Sequence, residues 1–320
     1  MLVLIYTHHM HNGEGRNIAM FISVLVVVAG LFYIFIRFGS SSRQLSGIQQ
    51  GTIRVVAAEN FYGNIMEQLG GEHVSVTSIL NDPNVDPHEY ESSVADGVAI
   101  SSANIVIENG LDYDTWMDKL LSASPNPDRV LIIAGSVASN PLPENPHVWY
   151  GLDNIVFIAR TMTNALEKID SSNTTEYEAN LLAFNNSLMP LDEKIIAIKN
   201  AYNGTPIGLT ETIYLYQTKQ MGLNVLTPAD FEKAISEGND PSAKSVNITN
   251  GQISSKQAKI LIYNSQTVTP ITANLEDLAK QNNIPVVPVT ETMPANDTYQ
   301  SWMIAEISAV QVALAQAAGH

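Results

Sequence analysis

Residues 173–202 read NTTEYEANLLAFNNSLMPLDEKIIAIKNAY, and this stretch decides how the chain is divided. Its large apolar residues, Tyr177, Leu181, Phe184, Leu188, Leu191, Ile195, Ile198 and Tyr202, recur at alternating steps of four and three. Such steps return to one face of a helix, so the segment predicts a single long rod of about 45 Å carrying one apolar stripe. Asn173 with Glu176 predicts a capping pair at its start, Gly204 a stop, and Pro190 a kink or one missing hydrogen bond.

On either side the pattern is different. Upstream, apolar runs at 53–58, 74–80, 105–108 and 130–134 predict strands. They alternate with helical stretches at 61–69, 94–103, 112–121 and 154–169. Downstream, strands are expected at 206–209, 225–226, 259–263 and 284–289, and helices at 213–221, 231–235, 243–253, 271–281 and 299–317. Alternation of this kind implies parallel sheets covered by helices. The expected fold class is therefore α/β, with two parallel-sheet lobes, 53–170 and 204–320, joined by the linking helix 171–203. No repeat is visible at the residue level.

The 320 residues are 45% hydrophobic and 15% charged, a composition that supports a packed core. From Gln44 onward 13 Lys and Arg stand against 31 Asp and Glu. A surface this acidic offers no stripe to meet phosphates, so no nucleic-acid partner is expected. The absence of cysteine excludes disulfides, thiolate metal sites, a cysteine nucleophile and a lipid-modified cysteine. A different tether is expected. After an N-terminal segment, 1–17, residues 18–36 run for 19 positions without a charge, about one hydrocarbon thickness as a helix. That length favours an uncut transmembrane anchor over a cleaved signal. Residues 37–52, rich in Ser, Gln and Gly, read as a flexible tether.

The chemistry is expected where the strands end, because parallel α/β sheets bind ligands beyond their carboxyl ends. Asp86-Pro87-His88 follows the strand at 74–80, and Asn145-Pro146-His147 follows the strand at 130–134. A proline restricts the backbone on both sides of itself and so aims the imidazole that follows. Glu211 follows 206–209 and Glu291 follows 284–289. His88, His147, Glu211 and Glu291 thus give two imidazoles from one lobe and two carboxylates from the other, a set that suits a divalent transition metal such as zinc, manganese or iron. Glu89, Asp86 and Asn109 are candidates to fix the imidazoles.

Several runs carry a family resemblance: Asp-Pro-His-Glu-Tyr-Glu at 86–91, Glu-Asn-Gly-Leu at 108–111, Asn-Pro-His-Val-Trp at 145–149, Tyr-Glu-Ala-Asn at 177–180 and Thr-Tyr-Gln-Ser-Trp-Met at 298–303. Over about 53–318 the chain resembles the zinc- and manganese-binding solute receptors of ABC importers. The resemblance implies two α/β lobes bridged by a stiff helix, with the ion held between them by His88, His147, Glu211 and Glu291. It also implies a monomeric receptor outside the cell that hands its ion to an ABC permease and its ATPase. From the rod-like helix itself, little lobe movement is expected, with release by loop motion in the second lobe. The chain departs from the pattern in four places, one of them Gly151-Leu152 where an acidic-proline pair often follows the His-Val-Trp run. Glu211 stands where many zinc-specific members have a histidine, and Glu291 where aspartate is usual, with Asp297 a nearby alternative. Residues 89–146 also lack the histidine-rich loop many of them carry. The extra oxygen donor favours manganese, intrinsic affinity favours zinc, and the sequence leaves the metal open. The competing expectations are a membrane-tethered zinc hydrolase and a surface adhesin. No His-Glu-x-x-His motif or nucleophile elbow supports the first, and a closed four-ligand site leaves no position for a reactive water.

Overall fold

Eight short strands carry the architecture among the described residues, and the central ones are apolar along nearly their whole length. β1 (Ile53–Glu59) is buried at six of its seven residues and β3 (Ile105–Glu108) at all four, as expected of parallel strands covered on both faces. In the computed structural model, which describes residues 51–82, 85 and 90–319, the first sheet also contains β2 (Val74–Leu80) and β4 (Val130–Ile133). Its order is β2-β1-β3-β4, all parallel, with Val55 opposite both Val76 and Ile105, and Ile105 opposite Val130. The second sheet contains β5 (Pro206–Leu209), β6 (Asn224–Val225), β7 (Leu261–Asn264) and β8 (Val286–Val289) in the order β6-β5-β7-β8, again all parallel. Each lobe therefore reverses its strand order at the same place, between its first and third strands. This is a shared plan that the residues themselves do not display.

The helices of the first lobe are α1 (Asn60–Gly70), α2 (Val94–Ser102), α3 (Trp116–Ala123), the single turn α4 (Ala134–Val137) and α5 (Leu152–Ile169). α1 packs on β2, and a Cβ at Gly63 would press on Ser78 Oγ and Val76 Cγ1, so the missing side chain eases the approach. The rod expected at 173–202 is interrupted. It forms α6 (Thr174–Ser187) and α7 (Met189–Tyr202), separated by Leu188, with Pro190 in the first turn of α7. Proline lacks the N–H that would continue the ladder and fits the start of a helix, so the chain restarts the helix there. The Asn173–Glu176 cap does not form. The Asn173 amide donates instead to Asp170 Oδ2, and Glu176 pairs with His73.

The stripe read from the sequence is buried from Tyr177 through Ile198. It packs α6 against α1 and α5, and α7 against the last helix, α12 (Tyr299–Ala318). The second lobe adds α8 (Leu215–Gln220), α9 (Ala229–Ser236), α10 (Ala243–Ser254) and α11 (Pro270–Gln281). Each sheet has a small outer core of its own, around Val106 and Met117 in one lobe and around Phe231 and Leu275 in the other. The inner faces share one continuous core. Phe61 stacks on Trp149 at 4.7 Å between centroids, and Trp302 lies 5.8 Å from both Phe61 and Tyr150. Residues 50–320 thereby form a single compact unit.

The apolar segment 18–36 lies outside the described residues. Among the described residues no helix is long and apolar enough to cross a membrane.

One buried acid stands apart from every site. Glu232, on α9 between Phe231 and Ile235, is 2% exposed, and burial pushes its carboxyl up from 4.5 to about 9. A carboxyl whose folded pKa lies above its unfolded value contributes stability that is complete below about 4.5 and is lost as pH rises toward 9. Glu232→Gln removes this loss. The melting temperature of the variant relative to the parent should climb steadily from pH 5 to pH 9 in thermal unfolding scans. A difference that does not change with pH would contradict the assignment.

Candidate metal centre

His147 is fully buried, at the start of the turn Val148–Tyr150. Asn145 orients it. The Asn145 Nδ2 donates to Thr212 O at 2.8 Å, which leaves its Oδ1 to accept the His147 backbone N–H at 3.0 Å and to face ring Nδ1 at 2.9 Å. An amide oxygen only accepts, so Nδ1 carries the proton and Nε2 presents a lone pair. That is the tautomer a metal ligand needs. Trp149 and Tyr113 set ring edges against the imidazole at 5.2 and 6.0 Å.

Glu211 and Glu291 leave the ends of β5 and β8 and are 1% and 0% exposed. Glu291 Oε2 stands 4.0 Å from His147 Nε2 and accepts a hydrogen bond from Tyr113 O–H at 2.9 Å, across the gap between lobes. Glu291 Oε1 accepts from Asn264 Nδ2 at 2.6 Å, and the same amide donates to Glu211 Oε1. One ligand atom each from His147, Glu211 and Glu291 lies within 4.8 Å of the others. Three of the four residues expected from the sequence are thus brought together. His88, with Asp86 and Glu89, lies outside the described residues. Asp297 is not in the cluster, and its Oδ1 accepts from Ser301 Oγ at 2.9 Å.

The loops that carry these groups are tied to one another. Two residues before His147, Asn145 holds the backbone of Thr212, the neighbour of Glu211. Three residues after it, Tyr150 O–H donates to the carbonyl of Thr290, the neighbour of Glu291, at 2.7 Å. The Asn60 side chain makes a paired contact with Met293 N and O at 3.1 and 2.7 Å. Gln266 Oε1 accepts from Glu291 N and Thr292 N at 2.6 and 3.0 Å, and its Nε2 reaches Val85 O, three residues before His88, at 3.3 Å.

Asn109 supports the loop rather than the imidazole, its Nδ2 donating to Pro146 O at 2.9 Å. Asp114 in turn accepts the N–H groups of Asn109 and Gly110 at 2.6 and 2.8 Å. This back-bonding goes with left-handed backbone at Gly110, Leu111 and Asp112, so α3 starts at Trp116 and not at the expected residue 112. Burial raises Asp114 to about 6 and Glu108 to about 7, and pushes Glu59 up as well, helped by the neighbouring Asp114. These acids sit beneath the centre and outside the cluster.

The residues missed from the sequence are Asn145, Asn264, Gln266 and Tyr113. Asn264 is the last residue of the third strand in its sheet, a position that parallel-sheet topology marks as functional. The cluster puts two carboxylates and a lone-pair nitrogen in one buried space, and among the described residues an amide, a phenol and a hydroxyl donate to the carboxylates. Buried like charges of this kind fit a divalent cation, and the nitrogen–oxygen donor set suits zinc or manganese.

Comparisons with known proteins bear on the family and the fold. A family model described as "ZnuA: Zinc-uptake complex component A periplasmic" matches residues 55–313. The metal ABC transporter substrate-binding lipoprotein ScbA of Streptococcus cristatus is 27% identical over 193 residues, which cover 55% of this chain and 60% of that protein. The manganese ABC transporter substrate-binding lipoprotein PsaA of Streptococcus mitis is 25% identical over 227 residues, 65% of this chain and 69% of that one. Among solved structures, the periplasmic zinc-binding protein TroA from Treponema pallidum superposes with a TM-score of 0.71 at 17% identity, over 82% of this chain and 99% of that chain, a likeness of fold.

Replacing Asn145 by Ala strips acceptors and donors from His147 and Thr212 in a buried setting. Denaturant unfolding should show a loss of about 2 kcal/mol. Nitrogen NMR of the imidazole should show Nδ1 losing its exclusive hold on the proton. An unchanged tautomer would show that Asn145 does not orient the ring.

Proposed function

Because the chain belongs to the ZnuA family of zinc-uptake component A proteins, we propose that it is a metal receptor outside the cytoplasmic membrane. It captures one divalent transition-metal ion, zinc or manganese, and delivers it to an ABC permease driven by its ATPase. The observation that carries this reading is the convergence of His147, Glu211 and Glu291 from two lobes onto one buried point. His88, on the loop whose Val85 is held by Gln266, supplies the fourth ligand. The ion is cargo. His147 Nε2 and one oxygen from each glutamate replace its water shell, and the two negative charges balance its own.

The protein acts as a monomer and a binding protein, not as an enzyme, since four protein ligands close the ion's first shell and leave no position for an activated water. The relatives above are named lipoproteins. This chain has no cysteine to carry a lipid, and we assign the tether to the apolar segment 18–36, which spans the membrane once and leaves the lobes outside. The shared inner core and the bonds between the ligand loops hold the lobes together, so capture and release proceed by movement of loops and not by closure of a hinge.

Metal analysis by mass spectrometry of the detergent-purified chain, reloaded from a zinc, manganese and iron mixture, tests this. About one ion per chain is expected in the parent, with His147→Ala and Glu211→Ala each losing it. No stoichiometric ion in the parent, or one that survives both substitutions, would overturn the receptor reading.

A further inference from the structure

The order β6-β5-β7-β8 places β7 between the two strands that deliver the carboxylates. Asn264, the last residue of β7, therefore stands between Glu211 and Glu291, and it is 2% exposed. Its backbone is locked in register opposite Val289, and its N–H donates to Thr210 Oγ1 at 3.2 Å. Its amide cannot be turned over. Oδ1 accepts the Gln266 backbone N–H at 2.9 Å, which directs Nδ2 at the acids. Nδ2 then donates to Glu211 Oε1 and to Glu291 Oε1, with Thr267 Oγ1 at 3.0 Å beside it. An amide has two hydrogens, and here they are committed to one oxygen of each carboxylate.

We propose that Asn264 is a positioning residue that sets the metal preference of the centre, by holding one oxygen of each glutamate so that Glu211 and Glu291 each offer the ion a single oxygen. The proposal rests on the receptor reading above. A carboxylate binds a metal through one oxygen or through two, and nothing in glutamate itself decides between them. With Oε1 of both acids drawn toward the end of β7, the glutamates offer two oxygens, and His147 with the His88 proposed above would complete the shell with two nitrogens. Four donors of this type satisfy the tetrahedral habit of zinc. Manganese, a harder ion that takes up to six oxygen-rich ligands, would need both carboxylates to open. The second oxygen donor that Glu211 brings in place of histidine therefore does not by itself make the centre a manganese site. A third carboxylate at position 264 would repel the other two, and a cationic donor there would compete with the ion for them.

The test uses the full chain in detergent with Co2+ as a spectroscopic probe and with Zn2+ and Mn2+ in competition. Four-coordinate Co2+ absorbs visible light far more strongly than five- or six-coordinate Co2+. The parent should show the intense spectrum and prefer zinc. In Asn264→Ala the visible absorption should fall several-fold, and the zinc-over-manganese affinity ratio should fall by about ten- to a hundredfold, the range for loss of a group that orients a ligand. Asn264→Ser, which keeps one short donor, should lie between the two. Should the alanine variant fail to fold, the serine variant and the parent spectrum still decide. A weak, high-coordinate Co2+ spectrum in the parent overturns the proposal and leaves the receptor reading intact. So does either variant keeping both the intense spectrum and the parent's metal ratio. A parent that takes up none of the three ions overturns the receptor reading and this inference with it.

Discussion

Two carboxylates held close together, away from water, are the constraint on which the centre depends. Unit like charges about 4 Å apart repel by about 4 kcal/mol even at an effective dielectric constant of about 20, and removing each from water costs several kcal/mol more. Glu211 and Glu291 are essentially unexposed, and their ligand atoms and that of His147 lie within 4.8 Å of one another. The surrounding chain answers that cost with fixed dipoles: the Asn264 amide, the Tyr113 phenol and the Thr267 hydroxyl. In the proposed receptor a divalent ion would offset the two charges, and their mutual repulsion would favour its capture.

The fold holds those groups in place by packing and bonding the two lobes to each other. The stripe of α6 and α7 packs one half of the linking segment on each lobe, and Phe61, Trp149, Tyr150 and Trp302 continue the core across the middle. The segment around His147 then reaches both acidic loops, through Asn145 to Thr212 and through Tyr150 to Thr290. A hinge opening would break both ties together with the aromatic packing. Local displacement of a ligand loop breaks far fewer contacts, which is why the centre is read as a rigid scaffold with a movable rim.

Much of this was legible in the sequence, for physical reasons that particular residues make plain. Continuous apolar runs such as 105–108 become strands buried on both faces, and the stripe from Tyr177 to Ile198 keeps its single face through the break at Leu188. Strand-end acids and a proline-aimed histidine are local signals, so His147, Glu211 and Glu291, which the fold brings together, could be picked out as candidates. What was hidden depends on distant partners. Asn264, just past the strand expected at 259–263, carries no local signal until β7 is known to lie between β5 and β8. Tyr113 reads as part of a helix until Asp114 draws the chain back onto Asn109 and Gly110. Asn173 is a plausible cap whose amide Asp170 takes instead. The matching strand orders of the two lobes leave no trace in the residues, since topology is set by crossover connections and burial rather than by identity.

The central claim is one ion shared by both lobes. Anomalous diffraction at the zinc absorption edge, from crystals grown with zinc, locates it directly. A single strong peak is expected about 2 Å from His147 Nε2 and from one oxygen each of Glu211 and Glu291. A peak elsewhere on the acidic surface, with none between the lobes, would contradict that claim.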